Sequence, residues 1–212
     1  MKTTSIFVFG DSVSYGAFDT DSAEGERRWI IAGWVNRLRT NLENHEEGNF
    51  NVFNLGVPGE TTEGTLKRFE SECSARMYDK NMRTIVVFAI GLNDTQDVNG
   101  QYRVTLKQFE KNIKALISKA RNFTDTVLFV GLTRVNGSKQ IPLFWNREKQ
   151  FFNEKIVAFD NLLEETCNNE KVSYVKVFDL LSPTDLLDGL HPNKTGHQKM
   201  YEAILEKIKE II

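Results

Sequence analysis

The chain has 212 residues, of which 40% are hydrophobic and 26% charged, and its formal net charge is −2. This length fits a single domain with a substantial core, and the composition is that of an ordinary soluble globular protein. The near-neutral charge gives no reason to expect a nucleic-acid partner, and no apolar run approaches the roughly 18 residues that a membrane span needs.

Cys73 and Cys167 are the two cysteines of the chain, and both lie in segments with helical spacing. A disulfide framework uses more cysteines in a shorter chain, so we expect free buried thiols. The chain enters a strand-like segment almost at once and shows no apolar region of the signal-peptide type. We therefore expect a cytoplasmic protein.

The first strand is predicted at residues 6–9, an unbroken apolar run typical of a strand buried on both faces of a parallel sheet. Gly10, Asp11 and Ser12 follow it directly. Open α/β sheets bind their ligands at the carboxyl ends of their strands. Ser12 is therefore the first candidate nucleophile, although Gly-Asp-Ser is also a common turn sequence.

Extended and helical patterns alternate along the rest of the chain. Short apolar runs predict four more strands, at residues 51–54, 84–90, 126–130 and 172–178. Amphipathic spacing predicts helices that begin near residues 29, 61 and 106, a long helix over 146–167 and a closing helix over 195–212. Residues 15–28, rich in polar and small side chains, are expected to form a surface loop.

Strands that alternate with helices, without repeats or linkers, predict one α/β domain over residues 1–212. The expected architecture is a three-layer α/β/α sandwich with a five-stranded parallel sheet in the flavodoxin-like order 2-1-3-4-5. In this order the switch point, where ligands bind, lies between the first and third strands.

Unusual polar residues follow the predicted strands at one edge of the sheet. Ser12 follows the first strand, Gly56 the second and Asn93 the third, while Asp188 and His191 lie beyond the fifth. Because the carboxyl ends of parallel strands share one edge, the topology brings these distant residues together. This convergence is the main structural argument for a site.

A serine hydroxyl is a weak nucleophile until an adjacent base takes its proton. Of the three histidines, His45 lies in a polar stretch away from this edge, and a plain structural role fits His197 within the last predicted helix. His191 is therefore the candidate base. Asp188, three residues earlier, is close enough in a turn to hold the imidazole and stabilise its protonated form.

Acyl transfer also needs fixed donors for the developing oxyanion. The backbone N–H groups of Ser12 and Gly56 and the side chain of Asn93 are the candidates, and Asp11 and Asp94 are possible substrate-binding residues. Each motif has a plainer alternative: Gly56 as a turn residue, Asn93-Asp94 as a helix cap, and Asp188-Gly189 as an ordinary turn pair.

Four short blocks resemble, in the family's order, those of the SGNH or GDSL hydrolase superfamily. They are Gly-Asp-Ser at 10–12, Asn-Leu-Gly at 54–56, Gly-Leu-Asn-Asp at 91–94 and Asp-Gly-Leu-His-Pro at 188–192. Val13 stands where the name-giving motif has leucine, a conservative change. The resemblance implies a serine esterase or acylhydrolase that needs no cofactor or metal. Residues 16–19 and 33–38 also look like those of a subgroup of small bacterial members described as lipases or acylhydrolases.

The sequence thus predicts hydrolysis of short-chain acyl esters of small molecules through an acyl-enzyme on Ser12, and it leaves a homo-oligomer possible. Thioesterase, carbohydrate O-deacetylase and acyltransferase activities stay open, because the named residues do not decide what discharges the acyl group. A metal-dependent phosphoesterase is a rival, but only His191 is well placed among the ligands that it needs. A non-catalytic ligand-binding module with the same fold is the other.

Overall fold

A computed structural model of the protein describes residues 3–18, 33–44, 49–77, 82–139 and 149–211. Several sequence predictions fall outside these residues: the helix start near Trp29, the surface position of His45, and most of the loop at 15–28.

The described residues form eight strands, six α-helices and two 3-10 helices. The strands are β1 (Thr4–Gly10), β2 (Phe50–Gly56), β3 (Arg83–Ala89), β4 (Asp97–Val98), β5 (Gln101–Tyr102), β6 (Val127–Val130), β7 (Lys149–Gln150) and β8 (Ser173–Val175). The helices are α1 (Ser12–Tyr15), α2 (Trp34–Glu43), α3 (Thr62–Ser74), α4 (Leu106–Ala120), α5 (Asn153–Asn169) and α6 (Lys194–Ile211), with 3-10 helices at Leu92–Thr95 and Pro183–Asp185.

Five parallel strands form the central sheet in the order β2-β1-β3-β6-β8. Numbered among themselves, these strands have the order 2-1-3-4-5, so the predicted fold class and topology are confirmed. A second, three-stranded antiparallel sheet has the order β5-β4-β7. The sequence does not predict this sheet, because two-residue strands are too short to show a period of two.

Two predicted boundaries differ from the structure for reasons of pairing. The predicted strand at 172–178 ends at Val175, because β6, its neighbour in the described sheet, ends at Val130 directly opposite. The long helix predicted from residue 146 begins at Asn153 instead, because Lys149 and Gln150 pair with β4.

Small residues at the end of β1 and its two neighbouring strands allow α1 to pack closely against them. In the parallel register Gly10 lies between Gly56 and Ala89, so all three positions are small. A Cβ on Gly10 would lie 2.1 Å from Ser14 Oγ and 2.8 Å from the Ala89 carbonyl oxygen. Glycine at this position therefore lets α1 fold back over the strand ends directly after β1.

Aromatic side chains form a continuous core on and beside the sheet. The ring of Phe9 lies 4.9 Å from Phe69 and 5.8 Å from Phe88, which in turn lies 4.9 Å from Phe129. Cys73 and Cys167 are buried free thiols, as the sequence predicts. Among the described helices, none has the length and apolarity needed to cross a membrane.

Candidate active site

Ser12 is the first residue of α1, a single helical turn placed directly after β1. The carboxylate of Asp11 caps the turn by accepting the Val13 N–H at 2.9 Å. Gly16 ends the turn with φ of 97°, a conformation that glycine adopts without steric cost. Ser12 is only 9% exposed, so its hydroxyl is held at the sheet edge with little contact with solvent.

His191 lies beside this hydroxyl. Its Nε2 is 2.9 Å from Ser12 Oγ, although 179 positions separate the two residues in the chain. Its ring is mostly buried, with 6% of the residue exposed. The structure therefore brings the candidate nucleophile and base into direct hydrogen-bonding contact.

Asp188 binds the other side of the imidazole. Its Oδ2 lies 2.7 Å from His191 Nδ1, while its Oδ1 accepts the backbone N–H groups of Leu190 and His191 at 2.9 and 2.7 Å. Burial acts to raise the pKa of Asp188, but these hydrogen bonds and the charge on His191 outweigh it and hold that pKa below its usual value. The carboxylate stays ionised and fixes the tautomer in which Nδ1 carries the proton.

The His191 imidazole stacks on the ring of Phe18, a residue that the sequence does not single out. The two rings stack with centroids 4.8 Å apart and an interplanar angle of 24°. Phe18 has φ of 62°, a backbone conformation that is strained for an aromatic residue. No local pattern predicts this contact, since it joins the turn after α1 to the loop before α6.

His197 supports that same turn from α6. Its Nε2–H donates to the Ala17 carbonyl oxygen at 3.2 Å, and its Nδ1 accepts the Trp34 N–H at 3.4 Å. Burial lowers the pKa of His197 to about 4, so the ring is neutral at physiological pH. The structural role predicted for this histidine agrees with these contacts.

Asn93 lies in the 3-10 helix after β3 and is almost fully buried. Its Nδ2 donates to Asp11 Oδ2 at 3.2 Å, and its Oδ1 accepts from Gln96 Nε2 at 3.2 Å. The amide nitrogen therefore faces Asp11, the neighbour of the nucleophile. Its role as an oxyanion donor stays a prediction.

Gly56 does not present its N–H to the site, and this corrects the predicted oxyanion role. That N–H donates to Asn54 Oδ1 at 3.0 Å. A Cβ at Gly56 would lie 2.5 Å from the Tyr15 nitrogen and 2.9 Å from the Asp11 carbonyl oxygen. Gly56 therefore acts through packing, by letting α1 lie against the end of β2.

Asp11 and Asp94 are not placed to bind substrate either, because both carboxyl groups are buried and occupied. Asp11 accepts from Val13 and Asn93, and burial raises its pKa to about 6. Asp94 accepts the Thr62 N–H at 3.0 Å and the Thr62 hydroxyl, and burial raises its pKa to about 7. Both residues join loops of the site to one another instead.

Residues 8–199 match the model of a family described as the GDSL-like Lipase/Acylhydrolase family. Over 141 residues, or 65% of this chain, the sequence is 26% identical to the Bacillus subtilis (strain 168) protein named "Uncharacterized lipoprotein YqeF". The match covers 54% of that protein, so the chain spans about half the length of the curated relative. A cytoplasmic location therefore stays a prediction.

Two solved structures share the fold over nearly the whole chain. A lipase/acylhydrolase from Enterococcus faecalis superposes with a TM-score of 0.74 at 21% identity, over 99% of this chain and 96% of the other. An acetylxylan esterase from Geobacillus stearothermophilus superposes with a TM-score of 0.71 at 20% identity, over 96% and 93%. Within the described ranges, no group of three or more His, Cys, Asp or Glu side chains is arranged to hold a metal ion.

Proposed function

Because the chain belongs to the GDSL-like lipase/acylhydrolase family, we propose that it is a serine esterase that hydrolyses short-chain acyl esters of small molecules. The observation that supports this most directly is the hydrogen-bonded series Ser12–His191–Asp188, with contacts of 2.9 and 2.7 Å. A serine hydroxyl, an oriented imidazole and a carboxylate in this sequence of contacts are the requirements of acyl transfer through serine.

In acylation, Ser12 Oγ attacks the ester carbonyl carbon and its proton passes to His191 Nε2. Asp188 stabilises the imidazolium that forms. When the tetrahedral intermediate collapses, the C–O bond to the leaving group breaks and Nε2 returns the proton to the departing alcohol. In deacylation a water molecule gives its proton to the same nitrogen and attacks the acyl-enzyme, which releases the acid and restores Ser12.

The oxyanion needs donors at the same edge of the sheet. The Ser12 N–H at the start of α1 and the Asn93 Nδ2 are two of them. For the loop after β2, Gly59 takes the place of Gly56 in this proposal. Gly59 is exposed and has φ of 76°, and no described group accepts its N–H. Hydrogen bonding of Val57 N to the Gly10 carbonyl oxygen at 2.9 Å holds this loop against the end of β1.

Replacement of the nucleophile tests the proposal. Ser12→Ala is expected to lower kcat for a short acyl ester by roughly a thousandfold or more, because only binding and the oxyanion donors remain. The melting temperature is expected to stay within about 2 °C of wild type, because the replacement removes only one hydroxyl group, at the start of α1. Ser118→Ala, on the exposed face of α4, is the matched control. Undiminished activity of Ser12→Ala would overturn the proposal.

The same preparation separates the alternatives. A panel of ester, thioester and acetylated-sugar substrates, with Ser12→Ala as the blank, identifies the leaving group that the site prefers. Stoichiometric inactivation by a serine-directed organophosphate distinguishes an enzyme from a ligand-binding module with the same fold. Activity that survives a chelator would contradict the metal-dependent phosphoesterase.

A further inference from the structure

We propose that Gln96 and Arg103 are positioning residues that decide which end of the Asn93 amide faces the oxyanion. The proposal rests on the proposed function, in which Asn93 is an oxyanion donor. An asparagine side chain serves in this way only if its nitrogen, and not its oxygen, points at the developing negative charge. Something in the protein must therefore fix the rotation of that amide.

A directional series of hydrogen bonds ends at Asn93. Arg103 Nη1 donates to Gln96 Oε1 at 3.0 Å, and Gln96 Nε2 donates to Asn93 Oδ1 at 3.2 Å. Asn93 Nδ2 in turn donates to Asp11 Oδ2 at 3.2 Å. Gln96, Asn93 and Asp11 are buried, so these bonds form with little competition from water.

The two ends of the series set its direction. A guanidinium group only donates, so Arg103 selects the oxygen of Gln96 and leaves its nitrogen for Asn93. An ionised carboxylate only accepts, so Asp11 selects the nitrogen of Asn93. Either inner amide could rotate by half a turn without changing its shape, but only one arrangement satisfies every contact. In that arrangement the Asn93 nitrogen faces Asp11, the residue that precedes the nucleophile.

Arg103 is held in place by the small antiparallel sheet. It follows β5, and its backbone N–H donates to the Gln96 carbonyl oxygen at 2.9 Å. Asn99 and Gly100 form the β4–β5 turn with φ of 52° and 81°, the conformation that tight hairpins require. The second nitrogen of the guanidinium, Nη2, donates to the Gly59 carbonyl oxygen at 3.0 Å. One side chain thus joins the two loops that carry Asn93 and Gly59.

We expect this series of hydrogen bonds to stabilise the transition state more than the bound substrate. A misoriented amide leaves the ground-state ester largely unaffected but removes a donor from the oxyanion, so kcat falls while KM stays nearly constant. Loss of a single oxyanion donor typically lowers kcat by about 100-fold or more.

Two replacements of Gln96 distinguish orientation from packing. Gln96→Glu keeps the size and shape of the side chain, but it places a second acceptor against Asn93, opposite Asp11. We expect kcat at about pH 8 to fall by about 100-fold, with KM within about twofold of wild type. Gln96→Met removes the donor without adding an acceptor, and we expect it to lower kcat by about tenfold. A packing role predicts the reverse order, because glutamate is the better steric match.

Removal of Asn93 provides the decisive comparison. In an Asn93→Ala protein, the further replacement Gln96→Glu is expected to lower kcat by less than about twofold, because the amide that it would misorient is absent. Independent, additive losses would overturn the proposal. Gln198→Glu, on the exposed part of α6, is the control for the added charge.

Arg103 offers a second test on a more exposed side chain, where folding is least at risk. Arg103→Met is expected to lower kcat about tenfold without a change in KM, and Arg103→Lys to recover part of the loss. Equal activity of Arg103→Met and wild type would contradict the proposal. If Ser12→Ala and Asn93→Ala are both fully active, the proposed function itself fails. If both are inactive but Gln96→Glu exceeds Gln96→Met in activity, only the orienting role fails.

Discussion

Asp188 uses both of its carboxylate oxygens, and this determines what an amide in its place would do. Oδ1 accepts the backbone N–H groups of Leu190 and His191, and Oδ2 accepts the proton on His191 Nδ1. The amide oxygen of an asparagine at this position is needed by the two backbone donors. Its NH2 group would then face Nδ1 and favour the tautomer in which Nε2 carries the proton.

Asp188→Asn is therefore expected to lower kcat by roughly a thousandfold or more, because Nε2 can no longer accept the proton of Ser12. His191→Ala is expected to be at least as damaging, and Ser12→Ala combined with His191→Ala no worse than either alone, since the two residues act as a unit. Steady-state kinetics at about pH 8, with melting temperatures as the control for folding, measure these losses. Multiplicative losses in the double variant would contradict a shared role.

At the scale of elements, α6 is hydrogen-bonded to the segments on both sides of residues 19–32. His197 on α6 binds the Ala17 carbonyl oxygen and the Trp34 N–H. Gly16 and Gly33 meet at the same place: a Cβ on Gly33 would lie 2.4 Å from the Gly16 Cα. The neutral imidazole suits this contact, because one ring nitrogen donates and the other accepts.

This arrangement makes part of the stability depend on pH. Burial lowers the pKa of His197 from 6.5 to about 4, so the unfolded chain binds more protons than the folded protein between these values. The contribution of His197 to the free energy of unfolding is therefore complete above pH 6.5 and is lost as the pH falls toward 4. The full effect is on the order of 3 kcal/mol.

His197→Gln keeps a neutral side chain that can both donate and accept hydrogen bonds, but it does not titrate. As the pH falls from 6.5 to about 4, we expect the free energy of unfolding of wild type to decrease by about 3 kcal/mol relative to that of the variant. Urea unfolding at several pH values measures it. Asp11 and Asp94 titrate in an overlapping range in both proteins, so the difference isolates the histidine. A difference that does not vary with pH would contradict the assignment.

At the scale of the whole molecule, the described part of the chain offers little apolar surface to a substrate. The described residues expose only four large hydrophobic side chains, which are Val57, Tyr102, Leu106 and Val157. Of these, Val57 lies in the loop that follows β2. The segment at 19–28 is rich in charge, and the apolar run at 141–145 lies outside the described residues. Among the described residues, a long acyl chain would therefore find little apolar surface to pack against.

We therefore expect short acyl esters, acetyl to about butyryl, to be hydrolysed with higher kcat/KM than longer ones. Each further methylene would gain well below the roughly 0.8 kcal/mol that full burial provides. A series of acyl lengths, measured below the micelle threshold, tests this. A steady rise toward palmitoyl would contradict it.

The sequence by itself determined the sheet and its polar edge. Hydrophobic runs are local signals, and parallel strands joined by helices permit few topologies, so the order 2-1-3-4-5 followed. Because the carboxyl ends of parallel strands lie at one edge of the sheet, the sequence also predicted that Ser12, Asn93 and His191 lie close together. In the structure, Ser12 Oγ lies 2.9 Å from His191 Nε2. Their catalytic roles stay predictions until the kinetics are measured.

Only the tertiary structure decided which polar groups are already occupied. The Gly56 N–H donates to the Asn54 side chain, and the Thr62 N–H donates to the carboxyl group of Asp94. The ring of Phe18 stacks on the imidazole of His191. A hydrogen-bond donor looks the same in sequence whether its acceptor comes from the protein or from a substrate. The choice depends on distances between segments far apart in the chain, and burial then fixes it because an unpaired polar group costs free energy. For the same reason, only the folded structure shows the contact between Arg103, which follows a hairpin too short to show a sequence pattern, and Gln96.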